Sequence, residues 1–152
     1  MNTDQTKLNH IFLAEDDADD RVFFEEALKE VTIPTQLTLA RDGLELMSNL
    51  ETLTEHPPPQ VIFLDLNMPR KNGFDCLKEI RETPKLKNIP IVIFSTSANS
   101  NAIESTYSLG ANYYICKPRS FPLLVKAIET VLTLDMWQIP KTTKEKFLLA
   151  IA

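Results

Sequence analysis

Short apolar runs that end abruptly on charged or hydroxyl-bearing residues restrict the folds open to this sequence. Residues 11–14 run into Glu15-Asp16-Asp17, 61–64 into Asp65, 91–94 into Ser95-Thr96-Ser97, and 113–116 into Lys117-Pro118. Near-continuous apolar character, rather than alternation, predicts strands covered on both faces, which is the habit of parallel sheets. Residues 36–40 read as a further strand. Helical patterns lie between the runs. Phe24, Ala27, Leu28 and Val31 share one helix face; Leu46, Met47 and Leu50 follow Asp42 as a candidate cap; Cys76, Leu77 and Ile80 form a third stripe. A weaker helix is expected over 101–109 with Gly110 as its C-terminal cap, and Leu124, Ala127, Ile128, Val131 and Leu132 mark the last. Met68-Pro69 and Asn72-Gly73 read as turns.

Strands alternating with helices make an α/β domain: a doubly wound, five-stranded parallel sheet with helices on both faces. Its polar strand ends fall at the C-terminal edge, where such sheets place their sites. The chain has 152 residues, enough for one domain, expected over 9–134. Residues 135–152 remain as a C-terminal tail with room for a short helix, and Trp137 in it reads as a packing anchor. With 43% hydrophobic and 24% charged residues, and no apolar run of about 20 residues, a soluble cytoplasmic protein is expected, with no membrane contact. A net charge of −5 argues against a nucleic-acid partner. Cys76 and Cys116 read as thiols rather than a disulfide.

The chemistry is expected where the strand ends converge. Glu15, Asp16 and Asp65 would repel one another without a cation, and an all-oxygen donor set favours magnesium, or manganese, over softer metals. A strand-end carboxylate beside a metal, a hydroxyl (Ser95) and an ammonium (Lys117) can act as a phosphoryl acceptor. Asp19 and Asp20 read as favourable charge at a helix N-terminus; Asp17 reads either as a cap or as part of the metal surroundings.

These residues resemble a known family. Ala14-Glu15-Asp16-Asp17, Leu64-Asp65-Leu66-Asn67-Met68-Pro69 with Gly73, Phe94-Ser95-Thr96 and Tyr114-Ile115-Cys116-Lys117-Pro118 are similar, in order and spacing, to the receiver domains of bacterial response regulators, the CheY-like type. The resemblance implies the flavodoxin-like strand order 2-1-3-4-5, the order for which the general rule on doubly wound sheets takes a receiver as its own example. It implies that Asp65 is phosphorylated, that Asp16 binds the metal directly and Glu15 through water, and that the Asn67 carbonyl is a further ligand. Ser95 would be the switch hydroxyl, Tyr114 the aromatic that moves with it, and Lys117 the partner of the phosphoryl group. Lys117-Pro118 would be cis. Partners would be a sensor histidine kinase or a phosphotransfer protein, and then a downstream protein. Contacts, homodimerisation included, would fall on the face of the fourth helix, fifth strand and fifth helix. The loop at 54–59, Thr83-Pro84-Lys85-Leu86 and the tail near Trp137 resemble single-domain receivers paired with phytochrome-type kinases.

Three positions depart from the family pattern. Glu15 stands where Asp is commoner, Ser95 where Thr is usual, and Thr96 where a smaller residue is frequent. Thr96 is therefore expected to crowd the phosphoryl group and slow its loss. The competing reading is a magnesium-dependent aspartyl-phosphate phosphohydrolase, but its general acid two residues after the nucleophile would here be Asn67. A flavin carrier of the same architecture would meet an acidic loop where a phosphate-binding one is needed. A receiver that only binds partners would not need the acidic pair, Asp65 and Lys117. A regulator acting on no substrate but its own phosphorylation state is the expected function.

Overall fold

The structure, a computed structural model, describes residues 8–52, 58–136 and 142–151. Trp137 and most of the 54–59 loop lie outside the described residues. The chain runs β1 (Asn9–Ala14), α1 (Ala18–Glu30), β2 (Thr35–Ala40), α2 (Gly43–Glu51), β3 (Val61–Leu64), α3 (Gly73–Glu82), β4 (Ile91–Ser95), α4 (Ser100–Leu109), β5 (Tyr113–Cys116), α5 (Phe121–Thr133) and a helical turn α6 (Lys144–Phe147). The five strands form one parallel sheet in the order β2-β1-β3-β4-β5.

Alternation along each strand sends side chains into two separate cores. Phe12, Ile62, Leu64, Ile91, Ile93 and Tyr114 face α2, α3 and α4, whereas Ile11, Leu13, Phe63, Val92, Phe94 and Ile115 face α1 and α5. Both sets are buried, which is why the inner strands read as unbroken apolar runs. Phe24, Phe63 and Phe94 meet edge to face, with centroids 5.1–5.9 Å apart, and lock α1 against β3 and β4.

Several helix ends follow from single residues. Asp17, Asp42 and Ser120 each accept a backbone N–H from the first turn of the helix they precede, and Gly110 closes α4 at φ 101°, in the left-handed region open to glycine. Asn72-Gly73 is not a free-standing turn. Asn72 accepts the Asp75 N–H and caps α3, whose first residue is Gly73, so the turn-forming pair serves as a helix start. Gly73 also permits a close approach: a Cβ there would sit 2.3 Å from the Asp65 carbonyl oxygen. Helix α3 can therefore begin directly against the end of β3.

At the opposite end of the sheet, Arg81 of α3 ties three segments together. Its guanidinium donates to the carbonyls of Gly110 (2.8 Å), Lys87 (3.0 Å) and Ile89 (2.8 Å) and to Asn112 Oδ1 (3.0 Å). The buried Asn112 also accepts the Ile91 N–H, at the first residue of β4. Burial pulls the Arg81 pKa down to about 10. Arg81→Met should lower unfolding free energy by about 3 kcal/mol, the order expected when charge-assisted bonds to half-buried carbonyls are lost. Arg81→Lys should restore only part of it, because one ammonium cannot reproduce the planar fork. Chemical denaturation of the variants checks both; wild-type stability in Arg81→Met would contradict the clamp.

Candidate functional site

Ladder bonds continue past the strand ends and carry the polar residues into register. The Glu15 N–H donates to the Ala40 carbonyl (2.9 Å), the Asp65 N–H to Ala14 (3.1 Å) and the Lys117 N–H to Ser95 (2.8 Å). Each residue after an apolar strand is thereby held at one edge of the sheet. Glu15 and Asp65 are buried, at 2% and 5% exposure, while Asp16 faces solvent. Oxygen atoms of these three carboxylates lie within 4.8 Å of one another.

Lys117 reaches into this group. Its ammonium pairs closely with Glu15 Oε1 and lies 3.2 Å from Asp20 Oδ2 and 3.3 Å from Asp65 Oδ2. Burial by itself would lower the Lys117 pKa, but the bond to Glu15 and the charge of Asp65 outweigh it and hold the ammonium above its ordinary range. Glu15 is pushed up to about 7, chiefly by burial; the charge of Asp65 adds to the shift, and the Lys117 bond opposes it. One lysine is thus shared among three acids and cannot fully neutralise them.

Three oxygen donors this close, with Asp16 open to water, suit a hard divalent cation. Open hollows flank Asn67. One, of about 300 Å³, is lined by Asn67, Phe74, Ser95 and Ser97; the other, of about 530 Å³, by Asp16, Asn67, Met68 and Asn72. The Asn67 N–H points back to Asp65 Oδ1 at 3.4 Å. Both hollows are lined by Leu66 and Asn67, the two residues that follow Asp65.

The remaining expected residues separate into distinct positions. Ser95 is fully buried and its Oγ accepts the Ser97 N–H at 3.2 Å. Thr96, next to it, is exposed. Tyr114, not Tyr113, is the inward residue of β5, with no exposed surface, and its hydroxyl donates to the Ser97 carbonyl at 2.8 Å. Burial raises the Tyr114 pKa, so the phenol stays a donor. Asp17 is occupied as the α1 cap, accepting the Asp20 N–H at 3.0 Å. One expectation is corrected: among the described residues every peptide bond is trans, Lys117-Pro118 included. Trans is favoured for an X–Pro bond by about 0.5–1 kcal/mol. In that isomer Lys117 already makes its three carboxylate contacts and its backbone bond to Ser95.

Two contributors escaped sequence reasoning. Arg21 donates to the carbonyls of Glu15 (2.8 Å) and Asp16 (2.9 Å), pinning the backbone that presents both acids. Asp20, expected only to complement the helix terminus, also bonds Lys117. The available signal was their place in the first turn of α1, immediately after the acidic cluster, which turns them back toward the edge of the sheet.

Comparison with known proteins agrees with this arrangement. The family model for the response regulator receiver domain matches residues 11–129. Response regulator Rcp1 of Synechocystis is 39% identical over 124 residues, covering 80% of this chain and 84% of Rcp1. Among solved structures, the phosphorylated cyanobacterial phytochrome response regulator RcpA superposes with a TM-score of 0.76 at 35% identity, covering 90% of this chain and 98% of RcpA. The Mn²⁺-bound form of Rcp1 gives 0.73 at 35% identity, covering 89% and 99%. With its strand order, its acidic cluster and its shared lysine in place, this chain belongs to the response regulator receiver-domain family.

Proposed function

We propose that Asp65 is the phosphoacceptor of a two-component phosphorelay and that residues 9–134 form the unit that carries it. The observation that supports this most is the burial of Asp65 at the end of β3, within bonding reach of Lys117 and beside two further carboxylates. An Asp65 oxygen attacks the phosphorus of a phosphohistidine; the P–N bond breaks, the imidazole leaves, and an aspartyl phosphate forms. Asp16, Asp65 and the Asn67 carbonyl, with Glu15 through water, would hold Mg²⁺ or Mn²⁺, which would supply positive charge to the transferring oxygens. Lys117 moves from Glu15 toward the phosphoryl group, and Ser95 donates a hydrogen bond to it. The donor is a sensor histidine kinase, of the phytochrome type by analogy with Rcp1 and RcpA, or a phosphotransfer protein. Output passes by protein contact, self-association included, at the face of α4, β5 and α5. The chain acts on no other substrate: Asn67 occupies the general-acid position that the phosphohydrolase reading requires. This activity belongs in the cytoplasm; no helix among the described residues is long and apolar enough to cross a membrane.

Asp65→Asn should abolish labelling by a small acyl phosphate in the presence of Mg²⁺, while wild type is labelled; label persisting on the variant would refute the assignment.

Cation binding should depend on pH through Glu15. With a pKa of about 7, Glu15 is mostly protonated at pH 6 and mostly ionised at pH 8, so a cation must displace a proton at the lower pH. Calorimetric Mg²⁺ affinity should rise about tenfold between these values, following the ionised fraction, and level off above. Glu15→Gln should flatten the profile; an equally steep one would assign the dependence elsewhere.

Thr96 is exposed directly after the buried Ser95, and as a β-branched residue it has few rotamers in which to clear the water path to phosphorus. Thr96→Ala should therefore lose the phosphoryl group several-fold faster once the donor is removed. Unchanged decay of label would reduce Thr96 to a bystander.

A further inference from the structure

Strand β5 ends the sheet, and an edge strand leaves a row of backbone groups open to pairing. Here the C-terminal segment takes up part of that row. Leu148 forms a parallel bridge with Tyr114, and the Leu149 N–H donates to the Tyr114 carbonyl at 2.9 Å. One residue earlier, Phe147 is 1% exposed and wedged edge-on against Tyr107 of α4 and Tyr114 of β5, with centroids 5.2 and 6.2 Å away. Lys144 reaches Glu104 of α4 at 2.9 Å. Leu149 and Ile151 then pack on the opposite core, so the segment wraps the sheet edge from one face to the other.

Tyr114 belongs to both the segment and the site. Its ring supports Phe147, while its hydroxyl is held by the Ser97 carbonyl; the Ser97 N–H in turn donates to the Ser95 hydroxyl. We propose that residues 142–151 form an intramolecular strap whose seating on α4 and β5 opposes phosphorylation of Asp65, and that phosphorylation releases it. This rests on the reading of Asp65 as phosphoacceptor and adds how that site is regulated. Drawing the Ser95 hydroxyl toward a phosphoryl oxygen withdraws the acceptor of the Ser97 N–H and shifts the residue that anchors Tyr114. A buried phenol stripped of its acceptor is costly to keep in place, so the ring turns. Phe147 then loses one of its two aromatic walls, and the remaining hold is Tyr107, a backbone bridge, the packing of Leu149 and Ile151, and an exposed ion pair of small worth. The strap covers the edge and the α4–β5 groove together, so a downstream protein gains that surface only when it lifts.

Binding linkage makes the coupling reciprocal: whatever unseats the strap must favour the loaded site by the same factor. The test uses the full chain with beryllofluoride and Mg²⁺ as the phosphoryl mimic. Amide exchange at Leu149 should be slow in the resting protein and at least about tenfold faster with the mimic bound, while β1 and β3 amides keep their protection. Phe147→Ala should bind the mimic about fivefold tighter than wild type, at the low end of coupling between sites. Phe147→Leu, which refills the groove, should return toward wild type, and unaltered β1 and β3 protection in both variants shows that the fold persists. Unchanged Leu149 exchange on loading, or equal affinities in wild type and Phe147→Ala, would overturn the strap and leave the Asp65 reading intact. Failure of wild type to take up the mimic would remove both. Leu149 protection that rises with protein concentration would put a second copy's segment on the edge and overturn the intramolecular form.

Discussion

Everything at the C-terminal edge of the sheet is arranged around one ammonium group shared by three carboxylates. Glu15 follows β1, Asp65 follows β3, Asp20 lies in the first turn of α1, and Lys117 reaches all three from just past β5. Burial makes these charges expensive, and a buried ion pair seldom repays its full desolvation. The arrangement is better understood as a geometric constraint than as a source of stability. It fixes how far apart β1, β3 and β5 can sit at this end. It also leaves an excess of negative charge, which is why a cation fits, while burial above all, with the charge of Asp65 added, brings Glu15 to titrate near neutrality.

Parallel strands supply the precision this requires. Because the backbone ladder runs one residue beyond each apolar stretch, the first polar residue is placed with the accuracy of the sheet itself. Gly73 extends the same logic to α3. Without a side chain at that position the helix begins against the Asp65 carbonyl, and Asn72 and Asn67 border the opening where a phosphoryl donor would approach.

How much of this could be read from sequence differed by residue, for physical reasons. The inner strands were plain because both of their faces are covered, which leaves little room for polar residues between 61 and 64 or 91 and 94. Glu15, Asp16, Asp65 and Lys117 were plain because charge directly after such a run has nowhere to go but the edge. Asn72-Gly73 misled: the preferences that make a turn also make a capped helix start, and only the close packing on Asp65 decides between them. The Lys117-Pro118 isomer is a balance of about 1 kcal/mol, below what residue identity can settle. Arg21, Arg81 and Phe147 were missed because their partners are backbone carbonyls or distant rings. Such contacts depend on tertiary placement and leave no periodic trace.

Arg81 and Lys117 show why similar cations at opposite ends of one sheet do different work. Arg81 gives its donors to three carbonyls and an amide oxygen, neutral acceptors fixed by the fold. Nothing a ligand offers could compete for it without undoing the start of β4 and the end of α4, so its position is permanent. Lys117 is held by carboxylates, and any incoming anion beside Asp65 presents the same chemistry as the acids it already contacts. Its partners can be exchanged at little cost in geometry. A backbone bond links Lys117 to Ser95, and hydrogen bonds run on through Ser97 to Tyr114 in β5. Whether a buried cation is fixed or exchangeable therefore depends less on its charge than on the kind of acceptor that holds it.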